Sequence, residues 1–196
     1  LKKYKRIDLL IRSILRLKNQ YPSIQLNIVS DGADKDRLLD LTARLKLTQN
    51  IIFHGYVSES NKRNLLSSNW ILVNPSNYEG WGITITEAAA CQTVSVGSNM
   101  GGLQDSIIDG KTGLLFIPNN VYDLSEKITQ IISSSTLRYQ LEKNAFRRSK
   151  NLTWSNSAQK LNKILRRTLW DNFKLSNFKP LKSKIMSEKE HPLVSI

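Results

Sequence analysis

The chain has 196 residues, a net charge of +13 and a single cysteine, Cys91. This length suits one domain with some excess, and it can bury a core without disulfide or metal support. One cysteine cannot form an internal disulfide, which favours a reducing compartment, and no run approaches 18 consecutive apolar residues, which excludes a spanning helix. We therefore expect a cytoplasmic protein. The sequence opens at Leu1 rather than at a methionine, so we also expect upstream residues in the parent protein.

The positive charge is concentrated at the two ends of the chain. Residues 1–20 carry +6, residues 21–136 carry −3 and residues 137–196 carry +10. Basic ends of this kind can meet an anionic lipid surface or a nucleic acid, or can be a solvated helix surface. No interleaving of aromatic and basic residues accompanies the charge, so no nucleic-acid partner is expected. Peripheral contact with the inner face of a membrane and a merely solvated surface both remain open.

Helical and strand-like segments alternate along the chain. Apolar residues at helical spacing predict a first amphipathic helix over residues 8–20. Short apolar runs predict strands over residues 24–29, 50–54, 70–73, 93–97 and 114–117. Further helices are predicted over residues 34–46, 58–68, 82–90, 121–133, 135–150 and 155–172, with a short helix after Gly101-Gly102. This alternation predicts an α/β fold with a doubly wound parallel sheet, and a ligand cleft at the carboxyl ends of its strands.

The segment with the most candidate functional residues begins where the third predicted strand ends. It reads Asn77-Tyr-Glu-Gly-Trp-Gly-Ile-Thr-Ile-Thr-Glu87 and leads from a buried strand into a helix. A helix start there presents unpaired N–H groups and a positive dipole end, which suit a phosphate group. Gly80 and Gly82 allow close backbone approach, and Glu79 and Glu87 can accept hydrogen bonds from vicinal hydroxyls of sugars. The alternative is an ordinary bend, with Glu79 as a cap and Glu87 in solvent.

The stretch from Glu79 to Glu87 resembles the E-x7-E motif of glycosyltransferase family 4, the "group 1" transferases of GT-B fold. Further segments resemble other motifs of that family, in the family's order: Tyr4-Lys-Arg-Ile-Asp8, Ile28-Val-Ser-Asp-Gly32, Ile52-Phe-His-Gly-Tyr-Val57, Gly101-Gly-Leu-Gln-Asp105 and Asp109-Gly-Lys-Thr-Gly113. The resemblance covers about residues 1–170. It implies a Rossmann-like domain that is the C-terminal, nucleotide-sugar-binding half of a retaining glycosyltransferase of hexosyltransferase type.

The resemblance also implies roles for particular residues. Lys5 would neutralise the donor diphosphate, although a plain surface lysine is the alternative, and N–H groups around Trp81 to Ile83 would cradle it. Glu79 would hold a hydroxyl of the transferred sugar, and Glu87 the ribose. The implied catalytic residues are thus Glu79 and Lys5, and the implied donor-binding residues are Glu87, Gly80, Trp81, Gly82, Ile83, Tyr56 and Val57. Of these, Tyr56 and Val57 would meet the base edge through their backbone, and Trp81 would flank the sugar or fill the bend.

The implied partners are a nucleotide-diphospho-sugar, as substrate, and a glycan or lipid-linked acceptor bound by an upstream domain. The family needs no metal or other cofactor in its site. Asp34-Lys-Asp36 has the D-x-D spacing of metal-dependent transferases, but its place at a predicted helix start favours capping. Two alternatives remain, an inactive nucleotide-sugar-binding module and a sugar-nucleotide epimerase of the same fold.

The resemblance to the family is incomplete at the two ends of the chain. The family has an arginine five residues before the lysine of its first motif, a position that lies ahead of Leu1 here. We therefore expect a truncated first strand and a chain that is inactive alone. Residues 1–172 are assigned to the Rossmann-like domain, and the lysine-rich residues 173–196 to a basic linker. The final His191-Pro-Leu-Val-Ser-Ile196 resembles the first strand of family 2 glycosyltransferases, which hints at a further domain beyond the linker.

Overall fold

The computed structural model describes residues 1–172, which fall into two units. The first unit is Leu1–Thr153, and the second begins at Trp154. The described part of the second unit is one helix, α8 (Trp154–Asn172). The predicted linker and the family 2 hint lie outside the described residues. None of the helices in residues 1–172 is long and apolar enough to cross a membrane.

The first unit starts with a 3-10 turn, Lys3–Lys5, and then alternates helix and strand. Its helices are α1 (Ile7–Leu17), α2 (Lys35–Arg44), α3 (Glu59–Ser68), α4 (Ile83–Ala90), α5 (Leu103–Ser106), α6 (Val121–Ser133) and α7 (Ser135–Ser149). Its strands are β1 (Leu26–Val29), β2 (Ile51–Gly55), β3 (Ile71–Asn74), β4 (Val94–Ser98) and β5 (Gly113–Phe116). Every predicted strand and helix of this unit is present, with boundaries shifted by up to three residues.

The strands form two parallel sheets. β1 pairs with β2 in one sheet, and β3, β4 and β5 pair in that order in the other. The predicted α/β class with parallel strands is therefore confirmed. The structure adds that the pairing is interrupted between β1 and β3, whose residues are mostly half-buried, whereas every residue of β4 is buried.

Helices cover both faces of the three-stranded sheet. On one face Val96 and Phe116 pack with α1 and α6 in the largest core cluster. On the other face Leu72 and Leu115 pack against a small cluster from α4 and the α5 region, formed by Ile85, Leu103 and Ile107. A sheet that packs helices on both faces buries apolar side chains along the whole strand, which is why its strands read as short apolar runs.

Local backbone bonding sets where the first two helices end. The first helix stops at Leu17 rather than residue 20, because the last turn tightens: the Gln20 N–H donates to the Leu17 carbonyl, only three residues back. The second stops at Arg44, because Lys46 adopts a left-handed conformation with φ +55°. The helical spacing of apolar residues continues past Leu17 and past Arg44, so the sequence pattern alone predicts helices that are too long.

Two predicted helix starts behave differently. Ser58 caps α3 as expected, since its hydroxyl accepts a hydrogen bond from the N–H of Asn61. Asp34 occupies the position before α2, but its side chain makes no capping bond. Its carboxylate instead binds the Arg37 guanidinium through two contacts of 2.7 Å, and this contact lowers the pKa of Asp34. The expectation that Asp34 caps the helix is wrong, because the arginine one turn away takes both carboxylate oxygens.

Candidate functional site: a glycine-rich loop and two lysine–glutamate contacts

The motif loop connects the end of β3 to the start of α4 over residues 75–82. Gly82 precedes the helix with φ +75°, a conformation that residues with a Cβ rarely adopt. Among the described residues no side chain caps α4. Its first-turn N–H groups therefore lack a side-chain acceptor and point out of a positive dipole end, the arrangement in which helices bind anions.

A second glycine-rich segment holds this loop in place. The N–H of Gly102 donates to the Glu79 carbonyl at 2.9 Å. A Cβ at Gly102 would collide with the carbonyl group of Gly80, and one at Gly82 would come within 2.7 Å of the Leu103 side chain. Gly102 therefore packs against the Gly80 carbonyl at a distance that a side chain would forbid, and Gly82 is confined by Leu103 and by its positive φ, whereas a Cβ at Gly80 would meet nothing within 4 Å.

Glu79 meets Lys5 at the beginning of the chain. The Lys5 Nζ donates to Glu79 Oε2 at 2.7 Å, and the N–H of Asn77 donates to the Tyr4 carbonyl at 2.9 Å. The 3-10 turn that carries Lys5 is thus tied to the motif loop by a backbone bond and by an ion pair. The structure brings together the two residues that the sequence assigned to catalysis.

Glu87 meets a lysine that the sequence reasoning did not select. Lys62 of α3 donates to Glu87 Oε1 at 2.8 Å and also contacts Glu59 at 2.9 Å. The hydrogen bond to Glu87 raises the pKa of Lys62. Glu59 and Lys62 lie one turn apart on α3, so the i,i+3 contact was readable from the sequence. The contact with Glu87 spans 25 residues and needed the fold.

A cleft of about 530 Å³ opens beside these residues. Lys5, Lys62, Thr84 and Glu87 line it, and Thr84 and Glu87 project from the same face of α4. Glu79 does not line the cleft itself but binds Lys5, which does. The cleft thus joins both lysines and one of the two glutamates of the motif.

Buried hydroxyl and amide oxygens without partners lie just after β3 and at the last residue of β4. Ser76 Oγ, Asn77 Oδ1 and Ser98 Oγ make no hydrogen bond among the described residues, and Ser76 lines the cleft. Buried polar atoms are normally paired, so unpaired ones at the carboxyl edge of a parallel sheet mark a place for a ligand. A serine or asparagine at the carboxyl end of a predicted strand was the available sequence signal, and it was not used.

The remaining predicted residues lie around the loop. Trp81 donates from Nε1 to the Thr86 hydroxyl at 3.1 Å, so its ring is held against the start of α4. Ile83 and Tyr56 are exposed, and Tyr56 and Val57 follow β2 rather than line the cleft. In residues 1–172 no group of three or more His, Cys, Asp or Glu side chains is arranged to hold a metal ion.

This chain, a parallel α/β unit with a glycine-rich loop at the carboxyl edge of its sheet, matches solved structures with the fold of a GT-B glycosyltransferase domain, the fold class expected from the sequence. The chain belongs to the family "Glycosyl transferases group 1", whose sequence profile matches residues 1–148.

Three similar proteins illustrate this membership. A glycogen synthase of Mycobacterium tuberculosis is 31% identical over 122 residues, which are 62% of this chain and 30% of that protein. A TarM mutant of Staphylococcus aureus, solved in complex with fondaparinux, alpha-GlcNAc-glycerol and UDP, aligns with a TM-score of 0.72 at 27% identity over 83% of this chain and 32% of its own.

The third is the C-terminal domain of a group 1 glycosyl transferase, LpcC, from Francisella tularensis. It aligns with a TM-score of 0.68 at 25% identity, over 75% of this chain and 78% of its own. By contrast, the chain spans only 26% to 40% of the length of the curated relatives that it matches.

Proposed function

We propose that this chain is the donor-binding half of a retaining hexosyltransferase, which moves a sugar from a nucleotide-diphospho-sugar to a glycan or lipid-linked acceptor. The observation that carries the proposal is the pair of lysine–glutamate contacts beside α4, Lys5–Glu79 at 2.7 Å and Lys62–Glu87 at 2.8 Å. Each contact supplies a cation and a hydroxyl acceptor beside one helix start. This combination fits a ligand whose diphosphate lies between two hydroxyl-bearing rings.

The diphosphate is proposed to bind at the start of α4. N–H groups around Trp81 to Ile83 supply donors for one phosphate, and Gly80 and Gly82 leave room for it. The Lys5 ammonium has three protons and can contact a phosphate while it keeps Glu79. Because charge grows on the diphosphate as the sugar leaves, fixed donors at this place stabilise the transition state more than the ground state.

The two carboxylates are proposed to hold the two rings. Glu87 Oε1 accepts from Lys62, which leaves Oε2 for the ribose hydroxyls. Glu79 Oε2 accepts from Lys5, which leaves Oε1 for a hydroxyl of the transferred sugar. The exposed Tyr56 and its neighbour Val57 follow β2 and would meet the base through their backbone. Lysines and helix N–H groups supply the positive charge in this arrangement, so we expect activity without a metal or other cofactor.

The acceptor is proposed to bind a part of the protein outside this chain. Two observations support this division. The chain matches only part of the length of its relatives, for example 30% of the glycogen synthase, and it resembles an isolated C-terminal transferase domain. The chain alone is therefore expected to bind nucleotide sugars weakly and to transfer nothing, because half of the site comes from elsewhere.

Titration calorimetry of the 196-residue chain with UDP- and GDP-sugars tests the proposal, alongside assays for transferred and epimerised sugar. We expect weak, saturable binding that Glu87→Ala removes, with no product of either kind. Turnover by the chain alone would refute the assigned inactivity, and epimerised product would favour the epimerase. Absence of binding to every nucleotide sugar, together with salt-sensitive binding to RNA, would overturn the function itself. Product anomers formed by the full-length protein test retention.

We further propose that the parent enzyme is cytoplasmic and works at the inner face of a membrane. α8 carries Lys160, Lys163 and Arg166 together with the exposed Leu161 and Ile164, a composition that suits an interfacial helix. Basic residues near an anionic leaflet contribute about 1 kcal/mol each, and salt screens them. Co-sedimentation with anionic and neutral vesicles at two salt concentrations is the measurement. If the protein showed no preference for anionic vesicles at low salt, the basic residues would form only a solvated surface and the membrane proposal would be wrong.

A further inference from the structure

Two residues with left-handed backbones contact each other beyond the end of β5. In residues 1–172 the residues other than glycine with positive φ are Arg6, Lys46, Gln92 and Asn119. Arg6 (φ +51°) and Asn119 (φ +62°) are 113 positions apart, and the Arg6 Nη1 donates to Asn119 Oδ1. A left-handed backbone costs free energy in a residue with a Cβ, and such residues cluster at functional sites. A contact between two of them is therefore a candidate for a functional role.

Arg6 is the junction between the 3-10 turn and α1. It is the one residue between Lys3–Lys5 and the helix start at Ile7. Its N–H donates to the Lys3 carbonyl at 3.1 Å, and its carbonyl accepts from the Leu9 N–H at 3.0 Å. Arg6 therefore closes the turn and opens the helix at once. Its backbone angles set the direction in which the turn, with Lys5, leaves α1.

Side-chain contacts hold this junction. The Arg6 Nε and Nη2 donate to the two carboxylate oxygens of Asp8 at 3.2 and 3.4 Å, and Nη1 binds Asn119. The side chains of Arg6 and Asp8 are only 25% and 19% exposed. Glycine would adopt the left-handed junction without strain, so the backbone alone does not call for arginine. What arginine adds is a fixed link from the junction to the fold, and we name Arg6, Asp8 and Asn119 the junction clamp.

The far side of the junction clamp is anchored in the fold. Asn119 lies between β5 and α6. The next residue, Asn120, caps α6, since its Oδ1 accepts from the N–H groups of Tyr122 and Asp123 at 3.0 and 3.1 Å. α6 and α1 both contribute to the largest core cluster. Asn119 is therefore fixed relative to α1, and a side chain bound to it is fixed as well.

The junction in turn determines where Lys5 lies. Lys5 directly precedes Arg6, and its Nζ reaches Glu79 at 2.7 Å. The turn is tied to the motif loop on one side, through the bond from the Asn77 N–H to the Tyr4 carbonyl, and to Arg6 on the other. The Lys5 side chain is 37% exposed and has four rotatable bonds. A long, exposed side chain of this kind is placed reproducibly only if its backbone is held, because its own conformational entropy opposes a single position.

We propose that Arg6 is a positioning residue for the candidate diphosphate site, an inference that rests on the proposed function for the identity of the ligand. The junction clamp holds the left-handed junction, and the junction holds Lys5 where it meets Glu79 beside the start of α4. Three of the five guanidinium N–H groups are taken by Asp8 and Asn119, so Arg6 acts through Lys5 rather than on the ligand itself.

Glycine substitutions test the junction clamp without forbidding the backbone that it holds. Arg6→Gly and Asn119→Gly each remove one side chain of the clamp and leave the positive φ unstrained. Lys46→Gly is the matched control, since it also replaces a cation with glycine at a left-handed position (φ +55°), at the end of α2. Lys5→Met, alone and combined with Arg6→Gly, completes a double-mutant cycle.

The first measurement needs no ligand. Mass spectrometry gives the rate at which acetic anhydride acetylates Lys5, with Lys35 as the internal reference because its exposure and its ion pair with Asp31 are similar. Loss of the clamp should release Lys5 from Glu79 and raise its rate about threefold in both Arg6→Gly and Asn119→Gly. Lys35 should keep its rate in every variant, and Lys46→Gly should change neither rate. An unchanged Lys5 rate in both clamp variants would overturn the proposal.

Calorimetry with UDP and GDP extends the test to binding. Both clamp variants should raise the dissociation constant about threefold to tenfold, and Arg6→Gly should add nothing to Lys5→Met because both act through one lysine. Weaker binding in Arg6→Gly but not in Asn119→Gly would mean that Arg6 contacts the diphosphate directly, and additive losses would mean that it acts apart from Lys5. Either result overturns the positioning role. If no version bound either nucleotide, the proposed function would fail, while the acetylation rates would still decide the role of the clamp.

Discussion

Glu79 and Glu87 each bind a lysine at nearly the same distance, but the two contacts are built differently. Glu79 lies on a loop whose path depends on glycine, and its carbonyl is held by Gly102. Glu87 lies inside α4, and its lysine comes from α3. The sugar end of the proposed site is thus positioned by close backbone packing, and the nucleotide end by regular helices. The first should be sensitive to a methyl group added at Gly102 or Gly82, and the second to loss of charge.

The largest expected effect on stability comes from Gly102→Ala. Its Cβ would collide with the Gly80 carbonyl, so the loop or the start of α5 must move. Overpacking of this kind costs about 1–3 kcal/mol of the free energy of unfolding, measured by urea denaturation. Gly80→Ala is the matched control, since its Cβ would meet nothing within 4 Å and should change stability by less than about 0.5 kcal/mol. Equal stability of the two variants would show that the loop is not packed as described.

Glu79→Ala in the full-length enzyme should act on the rate. The transferred sugar changes charge and shape at the reacting carbon, so a contact with its hydroxyl can strengthen in the transition state. Loss of a hydrogen bond to a charged group is worth about 1.5–3 kcal/mol, so kcat should fall about ten- to hundredfold with little change in donor affinity. Steady-state kinetics together with direct donor titration separate the two quantities. A loss of affinity at unchanged kcat would reverse the assigned role.

Glu87→Ala should act on donor affinity instead, by about 1.5–3 kcal/mol, because the ribose is held equally in the ground and transition states. Glu59→Ala is the matched control, as it also removes a carboxylate bound to Lys62, on the exposed side of α3. Calorimetry with the same nucleotide sugar compares them. If Glu59→Ala weakened binding as much as Glu87→Ala, the effect would be one of charge near Lys62 rather than of a ribose contact.

Lys62→Met sharpens the comparison with a smaller change. If Lys62 positions Glu87, its loss should weaken donor binding by about threefold, within the range of about 0–1 kcal/mol typical of partly exposed ion pairs. Tighter donor binding by this variant in calorimetry would mean that Lys62 competes with the ribose for Glu87. Lys35→Met, which removes an ion pair of similar exposure at Asp31, controls for the loss of one surface charge.

The smallest effect should come from Asp34→Asn, at the residue just before α2 and away from both contacts. The Arg37 guanidinium lowers the pKa of Asp34 in the folded protein, so the pair stabilises the fold at pH values above the unfolded pKa of about 3.9. That stabilisation should disappear as the pH falls through the lower, folded pKa. Denaturation at pH 7 should show a loss of no more than about 1 kcal/mol that shrinks in acid, with donor binding unchanged. A difference that persists in acid would contradict an electrostatic origin.

Some features were predictable because they depend on neighbours along the chain. The strand from Ile71 to Asn74 and the helix after Gly82 follow from an apolar run, a glycine-rich bend and helical spacing. The cap at Ser58 likewise involves a residue three positions away. Asp34 shows the limit of such reasoning, since a cap and an ion pair with Arg37 are both local and only the geometry selects between them.

The amino-acid sequence by itself determined the family, the order of helices and strands and the two carboxylates of the motif, because local pattern and residue type carry that information. Only the tertiary structure decided that Lys62 reaches Glu87, that Gly102 holds the carbonyl of Glu79, and that β1 and β3 line a common cleft. The physical reason is separation along the chain. Contacts between residues 23 to 46 positions apart depend on how crossover helices bring strand ends together, and no periodicity within a single segment encodes that placement.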